Sequence, residues 1–193
     1  LISALAVCAV GLSVLFALTG GAQWFTSESY RRYELVSSQK PLPNAEHENA
    51  KSEQITLESF CEKGPVALNF VYTRCTSVCS SMGASAAQLA LKFETMNSAA
   101  QVLSISFDAR DTANDLRTFK SRLDPFSSPW TIARIANPLA LHNFLMQAGV
   151  VVIPDELEEF THNTAWLVLD KSCRVQQVFD LEQTAHVEKL LLQ

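Results

Sequence analysis

The chain has no basic patch. Lysine and arginine total 15 against 20 aspartates and glutamates, for a formal net charge of -5. Nowhere do basic residues interleave with aromatics along one stripe, the footprint that a nucleic-acid partner would need. Cysteine is also scarce: five in 193 residues cannot staple a disulfide scaffold, so each has to be read by its position. No internal repeat and no low-complexity tract occurs, which leaves one ordinary domain plus an appendage, long enough to bury a core of fair size.

Charge is missing altogether from residues 1–25, and Leu1 to Leu18 is almost wholly apolar. As a helix this stretch would reach about 37 Å, enough to cross a bilayer core. A transmembrane anchor over residues 1–26 is therefore expected, because the uncharged run continues through Trp24 and Phe25. The competing reading is a cleaved signal segment, with Gly20 and Ala22 at the small positions of a peptidase site. Cys8 lies inside the apolar run and reads as a small membrane-helix residue rather than a lipid attachment point. The first residue is not Met, so a flanking segment is expected upstream, and orientation must come from function.

Residues 27–54 are polar and charged, with Pro41 and Pro43 and no sustained periodicity. They read as a linker lifting the domain from the membrane, and His47, between Glu46 and Glu48, as a solvated histidine. The folded domain is expected over residues 55–193. Ile55-Thr56-Leu57 alternates like a short edge strand. Val66 to Tyr72 is an apolar and aromatic run suited to one buried strand. Met82, Ala86, Leu89, Phe93 and Met96 recur at helical steps and predict a core-facing stripe. Gln101 to Phe107 is a second strand. Thr112 is an N-cap with Asp115 three residues on, and Leu116, Phe119 and Leu123 mark the inward face of its helix. Asn137-Pro138 opens another helix that ends at Gly149. Val150 to Ile153 is extended, Ala165–Leu169 and Val175–Phe179 make a hairpin, and Thr184 to Leu192 is a closing helix. Strands separated by helices, ending in a hairpin and a helix, give an α/β fold of thioredoxin type.

Cys75 and Cys79 stand between the buried strand and the first long helix. A helix N-terminus favours thiolate over thiol, so such a pair can attack, oxidise to a disulfide or bind a soft metal. A plain disulfide or two buried thiols is the bland alternative. His142 and His186 read as surface histidines. The acidic run Asp155, Glu156, Glu158 and Glu159 reads as a solvated loop, or as a guide for a basic partner.

Three segments together carry a family resemblance: Asn69-Phe70-Val71-Tyr72-Thr73-Arg74-Cys75-Thr76-Ser77-Val78-Cys79, Asp108-Ala109-Arg110-Asp111-Thr112, and Thr161-His162-Asn163 before the strand Trp166 to Leu169. In this order and spacing the chain resembles the Sco/SenC family of membrane-anchored copper proteins that help assemble cytochrome c oxidase. The resemblance implies that Cys75, Cys79 and His162 bind copper. Two soft thiolates suit Cu(I), and an imidazole completes a three-coordinate site that also accepts Cu(II). Asp108 and Asp111 are expected to support these ligands from behind, unless Asp111 and Thr112 simply start a helix. The chain departs from the family at Ser80 and Ala109, where proline is usual, at Thr76-Ser77, often Pro-Asp, and at Cys173, commonly glycine. None of these removes a ligand.

Cys61 precedes the central strand and Cys173 follows the strand expected beside it, which puts both at the pole opposite Cys75. In an oxidising compartment they could form a structural disulfide; two separate thiols are the alternative. The first functional expectation is a non-catalytic copper metallochaperone. It would receive copper from an upstream donor protein and pass it to the dinuclear copper (CuA) site of the copper-bearing oxidase subunit. Its domain would then lie on the extracytoplasmic side of an inner membrane. The second expectation is an enzyme, a thiol–disulfide reductase in which one of the two cysteines attacks a partner disulfide and the other resolves it. A peroxidase reading finds no motif.

Overall fold

The computed structural model describes residues 2–21, 25–75, 78–155 and 159–192. The N-terminal helix α1 (Ile2–Leu18) is 17 residues long, about 25 Å at the α-helical rise. It stops there because Gly20 and Gly21 both take left-handed backbone angles, φ 57° and 76°, and so does not run on through Phe25. Among the described residues no helix is long and apolar enough to cross a membrane. Ala22 and Trp24 lie outside the described residues.

The stretch expected as a polar linker is largely folded, which corrects that reading. It holds helix α2 (Ser27–Ser37), capped by Thr26, and strands β1 (Glu46–Asn49) and β2 (Gln54–Thr56). Leu42 is buried, and Pro41 bridges to Arg174. β1 is polar in sequence, so no apolar alternation announces it. Its order comes from partners: β2 on one side, a later strand on the other, and the Glu48–Arg134 ion pair at 2.6 Å.

After α3 (Leu57–Cys61) come β3 (Val66–Val71), α4 (Val78–Thr95) and β4 (Gln101–Ser106). Then follow α5 (Ala113–Leu123), β5 (Thr131–Arg134), α6 (Pro138–Gln147), β6 (Val152–Pro154) and β7 (Phe160–His162). The hairpin β8 (Ala165–Leu169) and β9 (Val175–Asp180) and the helix α7 (Thr184–Leu191) close the chain. Seven strands form one sheet in the order β2-β1-β5-β4-β3-β8-β9, and β6 and β7 pair separately. β3, β4 and β5 are parallel and β8 runs antiparallel to β3, a mixed α/β sheet of thioredoxin-like type. All six residues of β3 are buried, as a central strand covered on both faces requires.

Alternation along β3 shows the two layers. Asn69 accepts a hydrogen bond from the Ser104 hydroxyl, which itself accepts one from the Trp130 indole. Trp130 in turn meets Phe119 of α5. Phe70 points the other way, to Phe144 of α6 at 6.2 Å. The expected helix stripe holds at Met82, Ala86, Leu89 and Phe93, all buried, but not at Met96, which is 58% exposed. α4 has already ended at Thr95, and Asn97 turns the chain at φ 52°. His47 is also corrected: it is 1% exposed, set edge-on to Phe144 at 5.4 Å. Neither ring nitrogen makes a hydrogen bond of normal geometry, and burial depresses its pKa to about 4 against a weak opposing contact with the Ala45 main chain.

Candidate functional site

β3 ends at Val71 and delivers Tyr72, Thr73, Arg74 and Cys75 to the C-terminal end of the parallel strands. Residues 76 and 77 lie outside the described residues, and Cys79 falls in the first turn of α4. Both cysteines are buried and neither is in a disulfide. The Cys79 amide donates to the Cys75 sulfur at 3.4 Å, using one of the N–H groups that a helix start leaves without an intrahelical partner. Burial is the main cause that pushes the Cys79 thiol well up, and the Cys75 and Asp111 side chains add to it against the Tyr72 amide. The pair is therefore unequal: one sulfur receives a helix amide, while the other is held as a protonated thiol in apolar surroundings.

His162 ends β7, opposite Val152 of β6. Because β8 follows two residues later and runs against β3, this histidine arrives at the same pole as Cys75 and Cys79. Its Nδ1 is buried without a hydrogen-bond partner. Burial lowers its pKa, with a backbone hydrogen bond at Asn163 opposing, which favours the uncharged ring. The ring lies 4.6 Å from Phe107 and 6.4 Å from Tyr72. It also lines a cleft of about 420 Å³ whose other wall is Ser27, Glu28 and Arg31 of α2. The structure thus brings the two thiols together and the histidine to their pole. Among the described residues, however, no group of three or more histidine, cysteine or acidic side chains is close enough to hold a metal ion.

Asp111 does not serve the helix start. Thr112 caps α5 with Asp115 in a reciprocal capping box, whereas the fully buried Asp111 carboxylate turns to the cysteine loop. It accepts from the Thr73 amide at 2.9 Å, the Thr73 hydroxyl at 2.6 Å and the Ser106 hydroxyl at 2.6 Å. Asp108 accepts from Arg74 at 2.6 Å and from the Arg110 amide at 2.9 Å. Burial would raise its pKa, but Arg110 and Arg74 hold it below the usual carboxylate value. Glu156 and Glu158 lie outside the described residues, and their neighbours Asp155 and Glu159 are exposed.

At the other end of β3, Cys61 and Cys173 are joined in a disulfide, with Cα atoms 5.6 Å apart. Cys173 sits at φ 57°, a left-handed turn position that favours glycine. The residue that sequence reasoning passed over is Tyr72, read as the last of a buried run. Its ring packs on Phe107 and Phe160 at 5.2 and 5.1 Å, between the thiols and the histidine hairpin. Burial is the first cause that raises its pKa, to about 12, followed by a hydrogen bond with the Cys75 side chain. An aromatic residue three before a cysteine was the available signal.

Several solved structures share this architecture. Arabidopsis thaliana ScoI with copper bound is 16% identical with a TM-score of 0.64, over 78% of this chain and 97% of that one. BsSco, described as a Sco-family cytochrome c oxidase assembly protein with a disulfide switch, gives 16% and 0.64 over 79% and 95%. The thioredoxin domain of a thiol-disulfide oxidoreductase from Bacteroides vulgatus gives 14% and 0.58 over 79% and 96%. At these identities the likeness shows the fold alone. No curated protein matches the chain. The SCO1/SenC family model matches residues 43–190, a span that starts just before β1 and holds both cysteines and the histidine; this chain belongs to the SCO1/SenC family.

Proposed function

We propose that this chain is a copper metallochaperone that takes copper as cargo on Cys75, Cys79 and His162 and supports assembly of the CuA site of cytochrome c oxidase. The observation that carries the reading is the buried, unpartnered Nδ1 of His162 at the pole of two cysteines that are not disulfide-bonded. A buried nitrogen without a partner is costly unless something fills its lone pair. Two sulfurs and one such nitrogen form a donor set for Cu(I) that also tolerates Cu(II). The copper-bound Arabidopsis relative and the oxidase-assembly description of BsSco support the same reading.

Thiolate ligands must lose their protons, so loading releases protons and is opposed by the raised Cys79 thiol. His162 reaches the pole of the sulfurs on the hairpin β6–β7, and among the described residues the three donors do not form one close cluster. Asp111 holds Thr73, and through it the start of the cysteine loop, in place. Passing cargo onward then proceeds by exchanging these sulfurs for those of the receiving subunit, without release of the free ion.

The second reading is a thiol–disulfide reductase. It is favoured by the same ungathered histidine, because dithiol exchange needs only Cys75 and Cys79. Anchoring to a membrane through the N-terminal segment belongs to both readings, as does an extracytoplasmic location. α1 exposes apolar residues such as Leu5, Leu12 and Phe16, and a disulfide between Cys61 and Cys173 suits an oxidising compartment. Copper titration of the reduced protein separates the readings. A metallochaperone holds one copper per chain, and Cys75→Ser or Cys79→Ser weakens binding at least 100-fold. Wild-type protein that holds none while reducing partner disulfides favours the reductase.

A further inference from the structure

Helix α2 lies before the span 43–190 that the family model matches, yet it is docked on the matched domain. Leu35 and Val36 pack against the core, and the Arg32 guanidinium pairs with Asp180, the last residue of β9, at 2.6 Å. The approach is tight at Gly149, between α6 and β6. A Cβ there would stand 2.5 Å from Arg31 Nη1 and 2.8 Å from Leu35 Cδ1. Gly149 also sits at φ 65°, so glycine meets both demands of this position.

The Gly149 carbonyl is held from two sides. Arg31 Nη1 donates to it from α2, and the Asn163 side-chain amide donates to it at 3.1 Å. Asn163 Oδ1 accepts from the Val151 amide at 2.8 Å, and the Asn163 amide donates to the Val151 carbonyl at 3.4 Å. Asn163 thus ties the two ends of the hairpin β6–β7 together, one residue from His162. Arg31 is itself aimed by Glu28, which accepts from its Nε at 2.9 Å and from its Nη2. A guanidinium suits this task, because the fork to a carboxylate fixes its plane and leaves a further donor for the carbonyl. Glu28, Arg31 and His162 line the same cleft of about 420 Å³.

We propose that Arg31 is a positioning residue. Through the Gly149 carbonyl and Asn163 it clamps the base of the β6–β7 hairpin to α2, and so sets where His162 stands at the cysteine pole. This rests on the reading above for the role of His162 and adds what places it. Without the clamp the hairpin keeps its own hydrogen bonds but loses its tie to α2. The cleft then opens, and the imidazole draws away from Phe107, whose ring it meets at 4.6 Å. A hydrogen bond from a charged donor favours the clamped form by about tenfold.

The test is Arg31→Met in the reduced, metal-free full chain, which keeps an unbranched stem beside Gly149 and removes every donor. Two readouts are taken: carbethoxylation by diethylpyrocarbonate, mapped over the four histidines of the chain, and the NMR signals of the histidine rings. His162 should be modified about tenfold faster, with exposed His142 and His186 unchanged and buried His47 still protected. The His162 ring signals should move as the ring leaves Phe107, while those of His47, edge-on to Phe144, stay in place. A His162 rate within twofold of wild type, or unmoved His162 signals, overturns the proposal. A rise shared by His47 overturns it too, since that is lost packing rather than a lost clamp. Neither arm uses copper, so a chain that fails to bind copper sinks the metallochaperone reading and leaves this result legible.

Discussion

The two ends of β3 hold two pairs of cysteines with opposite chemistry. At one end Cys75 and Cys79 lie four residues apart in sequence, at the N-terminus of α4. At the other, Cys61 closes the five-residue helix α3 and Cys173 sits in a tight turn, 112 residues away in sequence. A helix start offers hydrogen-bond donors to sulfur, whereas a helix end presents carbonyls. The backbone around a sulfur, more than the count of sulfurs, separates a pair left as thiols from a pair that locks the frame.

The largest effect expected of breaking the locked pair falls on stability alone. Cys61→Ser should cost about 2–5 kcal/mol in a denaturant melt, because the crosslink closes a long loop in the unfolded chain. Copper binding by the folded fraction should be unchanged. Cys173→Gly should cost about 1 kcal/mol less than Cys61→Ser, since glycine relieves the left-handed position at φ 57°. A copper defect in either variant would join two poles that this account keeps apart.

Acid should separate stability from both pairs. His47 is buried and neutral with a folded pKa of about 4, depressed by burial from 6.5. The unfolded chain therefore binds a proton that the folded chain refuses, and stability rises with pH. The His47 contribution is present in full above about pH 6.5 and is lost as pH falls toward 4, to a limit of about 3 kcal/mol. His47→Leu should flatten that part of a stability–pH curve. An unchanged slope would show that His47 finds a proton-accepting partner.

At the exchanging pole, Asp111→Asn should cost about 2 kcal/mol by urea melt, because the buried carboxylate serves three donors and the amide can accept from fewer of them. It should also weaken copper binding by loosening Thr73. The disulfide pole should keep its crosslink. If copper affinity were untouched, Asp111 would be a structural residue only.

Much of this division was legible in the residues. The apolar run at 66–72, the helix stripe from Met82 to Phe93, the N-caps Thr112 and Asn137 and the final hairpin each follow from periodicity or capping, and strand order placed Cys61 and Cys173 at one pole, where a disulfide and two separate thiols were both open. What escaped notice lacks a local signal. Strand β1 is Glu-His-Glu-Asn, ordered by its neighbours and by Arg134 rather than by its own pattern. β7 has three residues, too few to show alternation. The burial of His47 depends on Phe144, nearly a hundred residues on. Tyr72 read as core because nothing in a single strand tells which aromatic faces a sulfur.

On the proposed reading the thiol pole is a copper site completed by His162. The most direct test loads the reduced full chain with Cu(II) and compares it with His162→Ala by absorption in the thiolate-to-copper region. One copper per wild-type chain with a thiolate band is expected, and loss of that band and of tight binding in the variant, with Cys61–Cys173 intact in both. Equal copper binding and an equal band in the variant would contradict it, as would a wild-type chain that holds no copper while its dithiol still cycles.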